Sequence, residues 1–280
     1  MLTVILATAT AALFGSSDFL GGLASRRDSA FVVTSTAHLL GVAWLTVAAA
    51  LFPYSQVGAT DVVWGIIAGL AGGVGVTALY AGLAAGRMSV VAPLTAALSG
   101  SLPAVYDLLT GSGIGWTAGV GLSLAVAAIV MVSLSSHPDD RHGLPPRAIA
   151  LAIVAGFGFA GSFISFSFTA EESGLWPLVA ARVMSAGLLG VLAYARMGRP
   201  VVSREVLGIT LATGTLDAAA NVTMISAIRS GPLSIASVLG SLYPVVTVLL
   251  AFTVLRERVT GLQRIGIVVA LAAVVLTAAG

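Results

Sequence analysis

The chain has no cysteine, which excludes disulfides and thiolate metal sites. Lysine is absent too, so all 13 basic residues are arginine. Charge of either sign is scarce, at 9% of 280 residues against roughly 25% in a soluble domain. The three histidines are scattered, and no metal cluster is expected. There is no P-loop sequence, and the glycine-rich "GLAGGVG" at 69–75 lies inside an apolar run rather than after a strand. Neither a nucleotide site nor any other cofactor is therefore expected. No motif supports enzymatic chemistry, and nothing points to nucleic acid.

What is present is apolar surface: 58% of residues are hydrophobic and the mean hydropathy is +1.05. Runs of about 20 apolar residues recur along the whole length, the signature of membrane-spanning helices. Ten spans are read, at about 2–24, 31–52, 62–85, 89–110, 114–134, 148–170, 175–196, 206–229, 232–255 and 262–279. Arg26 and Arg27 follow the first run instead of preceding it, flanks that suit a first span rather than a cleaved signal peptide. The fold class is thus an all-α membrane protein with the bilayer as its surroundings.

The one sizeable polar connection, "SSHPDDRHGLPPR" at 135–147, separates 1–134 from 148–280. Sliding the chain by 145 residues aligns Phe14 with Phe159, Gly69 with Gly214, Gly86 with Gly231, Ser89 with Ser234 and Gly121 with Gly266. Five spans per half is an odd number, so a second half repeating the first would cross the membrane upside down. Two inverted five-helix repeats around a central cavity is the architecture expected.

The segment 231–276, "GPLSIASVLGSLYPVVTVLLAFTVLRERVTGLQRIGIVVALAAVVL", resembles the second repeat of ten-helix EamA-type transporters of the drug/metabolite transporter superfamily. "YAGLAAGRMSVVAPL" at 80–94 is similar to the first repeat, although "TGSGIG" at 110–115 stands where the second half has Arg256, Glu257 and Arg258. The resemblance implies a secondary transporter of a small organic metabolite, an amino acid or related compound, with efflux favoured. A multidrug exporter of the same fold, a passive facilitator and a lipid-linked flippase subunit remain alternatives. Irregular backbone at membrane depth belongs where it lines a wet site or is buried in protein. Pro93, Pro103 and Pro244 are therefore candidate kinks. Ser237 and Ser241, on nearly the same helical face as Ser234, are candidate solute contacts together with Tyr243.

An ionisable side chain at mid-span costs about 2.5–3.5 kcal/mol, so each needs a reason. Thr213, Asp217 and Asn221 recur at four-residue spacing and line one face of the eighth span, with Asp217 the most central acid. Arg182, seven residues inside the seventh span, demands an acid, and Asp107 or Asp217 could serve. Asp18 and His38 lie at matching depth on adjacent spans, where a pair could take up and release a proton. Tyr80 edges a small-residue face of the third span, and Gly65, Gly69 and Gly73 form a packing series. The phenylalanines of "GFGFAGSFISFSFT" at 156–169 offer an aromatic wall to an amphipathic solute, with lipid-facing rings the alternative for about half of them.

Loops after odd-numbered spans hold eleven arginines (26, 27, 87, 141, 147, 196, 199, 204, 256, 258 and 264), whereas the opposite side holds Arg229 alone. That bias puts those loops in the cytoplasm of a bacterial cell and both termini outside. Trp64, Trp116 and Trp176 would anchor the outer interface. A monomer or a homodimer is expected, with protons as the candidate coupling ion.

Overall fold

A backbone crossing hydrocarbon must satisfy its own N–H and C=O groups, which a helix does within one segment. The computed structural model describes residues 2–51, 56–109, 116–134, 145–230, 239–240, 242–256 and 261–278. The described residues form ten α-helices. They are α1 (Leu2–Ala24), α2 (Ala30–Leu51), α3 (Ala59–Ala85), α4 (Met88–Leu109), α5 (Trp116–Leu134), α6 (Pro146–Phe166), α7 (Trp176–Met197), α8 (Arg204–Arg229), α9 (Tyr243–Val254) and α10 (Gly261–Ala278). Among them α1, α2, α3, α6 and α7 are each long and apolar enough to cross a membrane. Large apolar side chains stand on the outside, with Leu39, Val47, Phe157, Phe163, Val191 and Val268 exposed. This is a multi-pass membrane protein.

Local chemistry sets the helix ends. Asp61 accepts the Gly58 N–H at 2.8 Å and caps α3. α7 opens with Pro177 in its first turn and closes at Gly198, whose φ of 68° favours glycine. The sixth span was expected to reach residue 170, but α6 stops at Phe166. The Ser167 and Thr169 hydroxyls donate to the Ile164 and Phe166 carbonyls, and the second Asp61 oxygen accepts the Ala170 N–H at 2.8 Å. A short 3-10 turn, Glu171–Ser173, follows. Phe168 thereby leaves the helix and stacks on Trp64, ring centroids 4.4 Å apart.

The ninth span is interrupted. Leu239 and Gly240 are helical, Leu242 is in a turn, and α9 restarts at Tyr243 with Pro244 in its first turn. Pro244 therefore initiates a helix instead of bending one. α4 runs unbroken through Pro93 and Pro103. Ser237 and Ser241 lie outside the described residues, as do Glu257 and Arg258.

The helices interleave across the two halves of the chain. α1 packs most on α8 and α3 most on α6, while α2 lies on α7 and α5 on α10. α3 also packs on α7 as α2 does on α8, and α4 on α6 as α1 does on α9. At one end of the bundle Arg199 pairs with Asp28 at 2.8 Å, and Asp28 also accepts the Ser29 and Ser203 N–H groups. Arg26 reaches the Leu83 and Gly86 carbonyls at the same end. At the other end Asp61 holds the turn after α6, and the Gln56 N–H reaches the Glu172 carbonyl.

Candidate functional site

Glycines let the helices close in around Arg182. A Cβ on Gly69 of α3 would collide with the Ala181 backbone of α7, and one on Gly214 of α8 would collide with the Ala37 backbone of α2. Ala181 and Ala37 each precede a polar residue, Arg182 and His38. These two close approaches set α2, α3, α7 and α8 tightly about one point. Gly65, on Pro177 and Ala180, and Gly73, on Ser185, extend the α3–α7 contact as the expected packing series.

At that point the polar side chains connect. Arg182 Nη2 donates to Asp217 Oδ2 at 2.5 Å, and Nη1 lies 2.7 Å from His38 Nε2. A guanidinium only donates, so Nε2 accepts and the hydrogen of His38 sits on Nδ1. Nδ1 in turn lies 2.8 Å from Ser185 Oγ, which is set one turn beyond Arg182 on the same face of α7. The arginine stem runs along Gly41 of α2, where a Cβ would stand 3.7 Å from Cδ. Asn221 Nδ2 donates to the Asp217 backbone carbonyl at 2.8 Å and approaches Oδ2 at 3.5 Å. The Thr213 hydroxyl bonds within its own helix, while its carbonyl accepts from Ser17 of α1 at 3.0 Å. The Arg182 and Asp217 side chains are only 12% and 13% exposed, so the pair is desolvated rather than solvent-bathed.

The structure thus brings His38 to Arg182, Asp217 and Asn221, and of the two acids the sequence offered Arg182 it places Asp217 against the guanidinium. The Asp107 side chain is outside what is described. It does not join Asp18 to His38: equal depth placed them at one level, but His38 faces α7 and is held by Ser185 and Arg182. Asp18 is buried on α1, and no hydrogen bond to its carboxylate is seen among the described residues. Tyr80 is buried with its ring end against Gly21 and its hydroxyl beside Ser17. Tyr243 meets Phe14 edge-on at 6.4 Å and turns its hydroxyl towards Ser99.

Of the aromatic run, Phe157 and Phe163 face outward, Phe159 packs on Gly75, and Phe166 joins an apolar cluster with Leu45 and Leu175. These rings serve the bilayer face and the core rather than a common wall. Sequence reasoning missed Ser185, Ser17 and Ser99. The spacing of Ser185 from Arg182 was the available signal for the first, whereas Ser17 and Ser99 gain meaning only from cross-helix contact.

A buried guanidinium between a carboxylate and an imidazole, on helices drawn from both halves of an apolar chain, suits recognition or charge movement at membrane depth. Residues 146–279 match the EamA-like transporter family, a domain of the drug/metabolite transporter superfamily. The second half of this chain is thus similar to an EamA domain. No curated protein matches the sequence. The EamA half contributes Arg182, Ser185, Asp217 and Asn221, and His38 reaches them from outside the matched segment. The match spans 134 of the 280 residues and points to a membrane transporter of the drug/metabolite type.

Proposed function

We propose that the protein is a secondary transporter that exports a small organic metabolite, an amino acid or related compound, across the bacterial cytoplasmic membrane, coupled to protons and working by alternating access. The observation that carries this reading is the Arg182–Asp217 pair, with His38 as the third member, buried where α2 of one half meets α7 and α8 of the other. A fixed guanidinium can hold a solute carboxylate, and a carboxylate it releases can take up a proton.

The matched helix pairs support an inverted repeat. Exchanging the halves turns α1 on α8 into α6 on α3, and α4 on α6 into α9 on α1, and both members of each exchange occur. The Gly69–Ala181 and Gly214–Ala37 approaches also correspond to within one residue under the 145-residue offset. Such a chain can rock one half against the other about the polar cluster. His38 and Asp217 are buried and the Arg182 side chain is only 12% exposed, which suits an occluded conformation. Cytoplasmic placement of the end holding Arg26, Arg199 and Arg204 follows the arginine bias.

Proteoliposomes loaded with a pH-sensitive dye test the coupling. Adding an amino-acid mixture should dissipate an imposed pH gradient with the wild type and not with Asp217→Asn. Equal dissipation by the two proteins overturns the assignment of Asp217, and none with the wild type overturns proton-coupled amino-acid transport.

A further inference from the structure

Among the described residues, one buried acid near Arg182 is unmatched. The Arg182 cation faces the Asp217 anion, and His38 accepts from Arg182. Asp18 is the remaining described acid within the bundle's polar interior, 9% exposed, and the like charge of Asp217 worsens its position. A buried carboxylate without a counter-ion or hydrogen bond is costly, and a cation removes that cost.

The surroundings of Asp18 narrow the kind of cation. On α1 it stands one turn from Gly15 and one turn from Gly21. Gly15 is pressed on the Tyr243 carbonyl and Val246 of α9, and Gly21 on the ring of Tyr80 of α3. Asp18 lies between these two contacts, within electrostatic range of both tyrosines. Phe14, one turn below, meets the Tyr243 ring. A bare metal ion would need a cage of several oxygens. A carboxylate among aromatic rings instead suits an organic ammonium group, which takes one charged hydrogen bond and offers its remaining surface to the rings.

The geometry points to Asp18, framed by Tyr80 and Tyr243, as the site that receives the ammonium group of the transported solute. This inference rests on the transport reading, and it divides the polar interior into an ammonium end on α1 and a guanidinium end on α7.

Binding to the detergent-purified full chain tests this without transport, so failure of export and failure of this site give different results. Phenethylamine is the probe and phenylacetate its anionic counterpart. Calorimetry should detect phenethylamine binding to the wild type at millimolar concentration. Asp18→Asn should weaken it by at least roughly tenfold with a ligand-free melting temperature no lower than that of the wild type, while Val191→Ala, on the outer face of α7, stays within about threefold. If Asp18→Asn fails to fold, wild-type protein treated with a hydrophobic carbodiimide and read by mass spectrometry gives the same answer. Phenethylamine should slow modification of Asp18, and phenylacetate should not. Undetectable phenethylamine binding, equal binding by wild type and Asp18→Asn, equal loss in both variants, or protection by acidic pH changes but not by the amine would each overturn the proposal.

Discussion

Two arginine–aspartate pairs, Arg182–Asp217 and Arg199–Asp28, tie the same part of the bundle together, one at membrane depth and one at its end. The end pair has an evident architectural task. Asp28 gathers the N–H groups of Ser29 and Ser203 as well as Arg199, so one buried carboxylate fixes the turn after α1 against the turn after α7. Its arginine is 43% exposed and keeps much of its hydration. The deep pair has no loop to organise. Packed apolar side chains would hold this part of the bundle at least as well, because desolvating two charges absorbs most of their attraction. What the difference teaches is that cohesion does not account for the deep pair, whereas the proposed transport role would.

The sharpest way to break the comparison is Arg182→Leu, which strands a buried Asp217. Losing one partner of a buried pair costs about 3–5 kcal/mol, so a large drop in melting temperature and in folded yield is expected. The double variant Arg182→Leu/Asp217→Leu should recover most of that loss. If it does not, the pair is structural cement after all.

Gly214→Ala comes next. Its new methyl meets the Ala37 backbone, which cannot yield as a flexible side chain would, and α8 must move off α2. Overpacking of this kind costs about 1–3 kcal/mol, and it should stretch the Arg182–Asp217 contact as well. Thermal denaturation checks the first effect and a structure of the variant checks the second.

Asp28→Ala leaves two backbone N–H groups without their acceptor, for about 1–3 kcal/mol by the same melting measurement. Smallest is Arg199→Ala, whose exposed cation should contribute about 1 kcal/mol or less and less still at high salt. An Arg199→Ala effect matching Arg182→Leu would erase the distinction between the pairs.

Much of the architecture could be read from the chain because hydropathy reports depth directly. The helix bounds fall within a few residues of the spans expected at most ends, and Gly65, Gly69 and Gly73 pack as a G-x-x-x-G series should. The end of α6 escaped because Phe166 and Phe168 look equally apolar, and only the distant Asp61 stops the helix between them. The candidate site was half legible for a related reason. A buried arginine demands an acid, and that demand is visible in sequence. Depth gives a residue's level but not the direction it faces, so it allows a pair of His38 with Asp18, whereas His38 turns towards Arg182 and Ser185. Which phenylalanines of span six face lipid is undetermined by depth for the same want of direction, and Phe157 and Phe163 do.

The central claim is that the charged network of α2, α7 and α8 serves transport and not stability. The most direct measurement is the dissipation of an imposed pH gradient by amino acids in proteoliposomes carrying Arg182→Leu/Asp217→Leu, once its melting temperature has been shown to match the wild type. The account predicts dissipation no faster than in protein-free liposomes. Wild-type dissipation by this charge-free yet folded variant would contradict it.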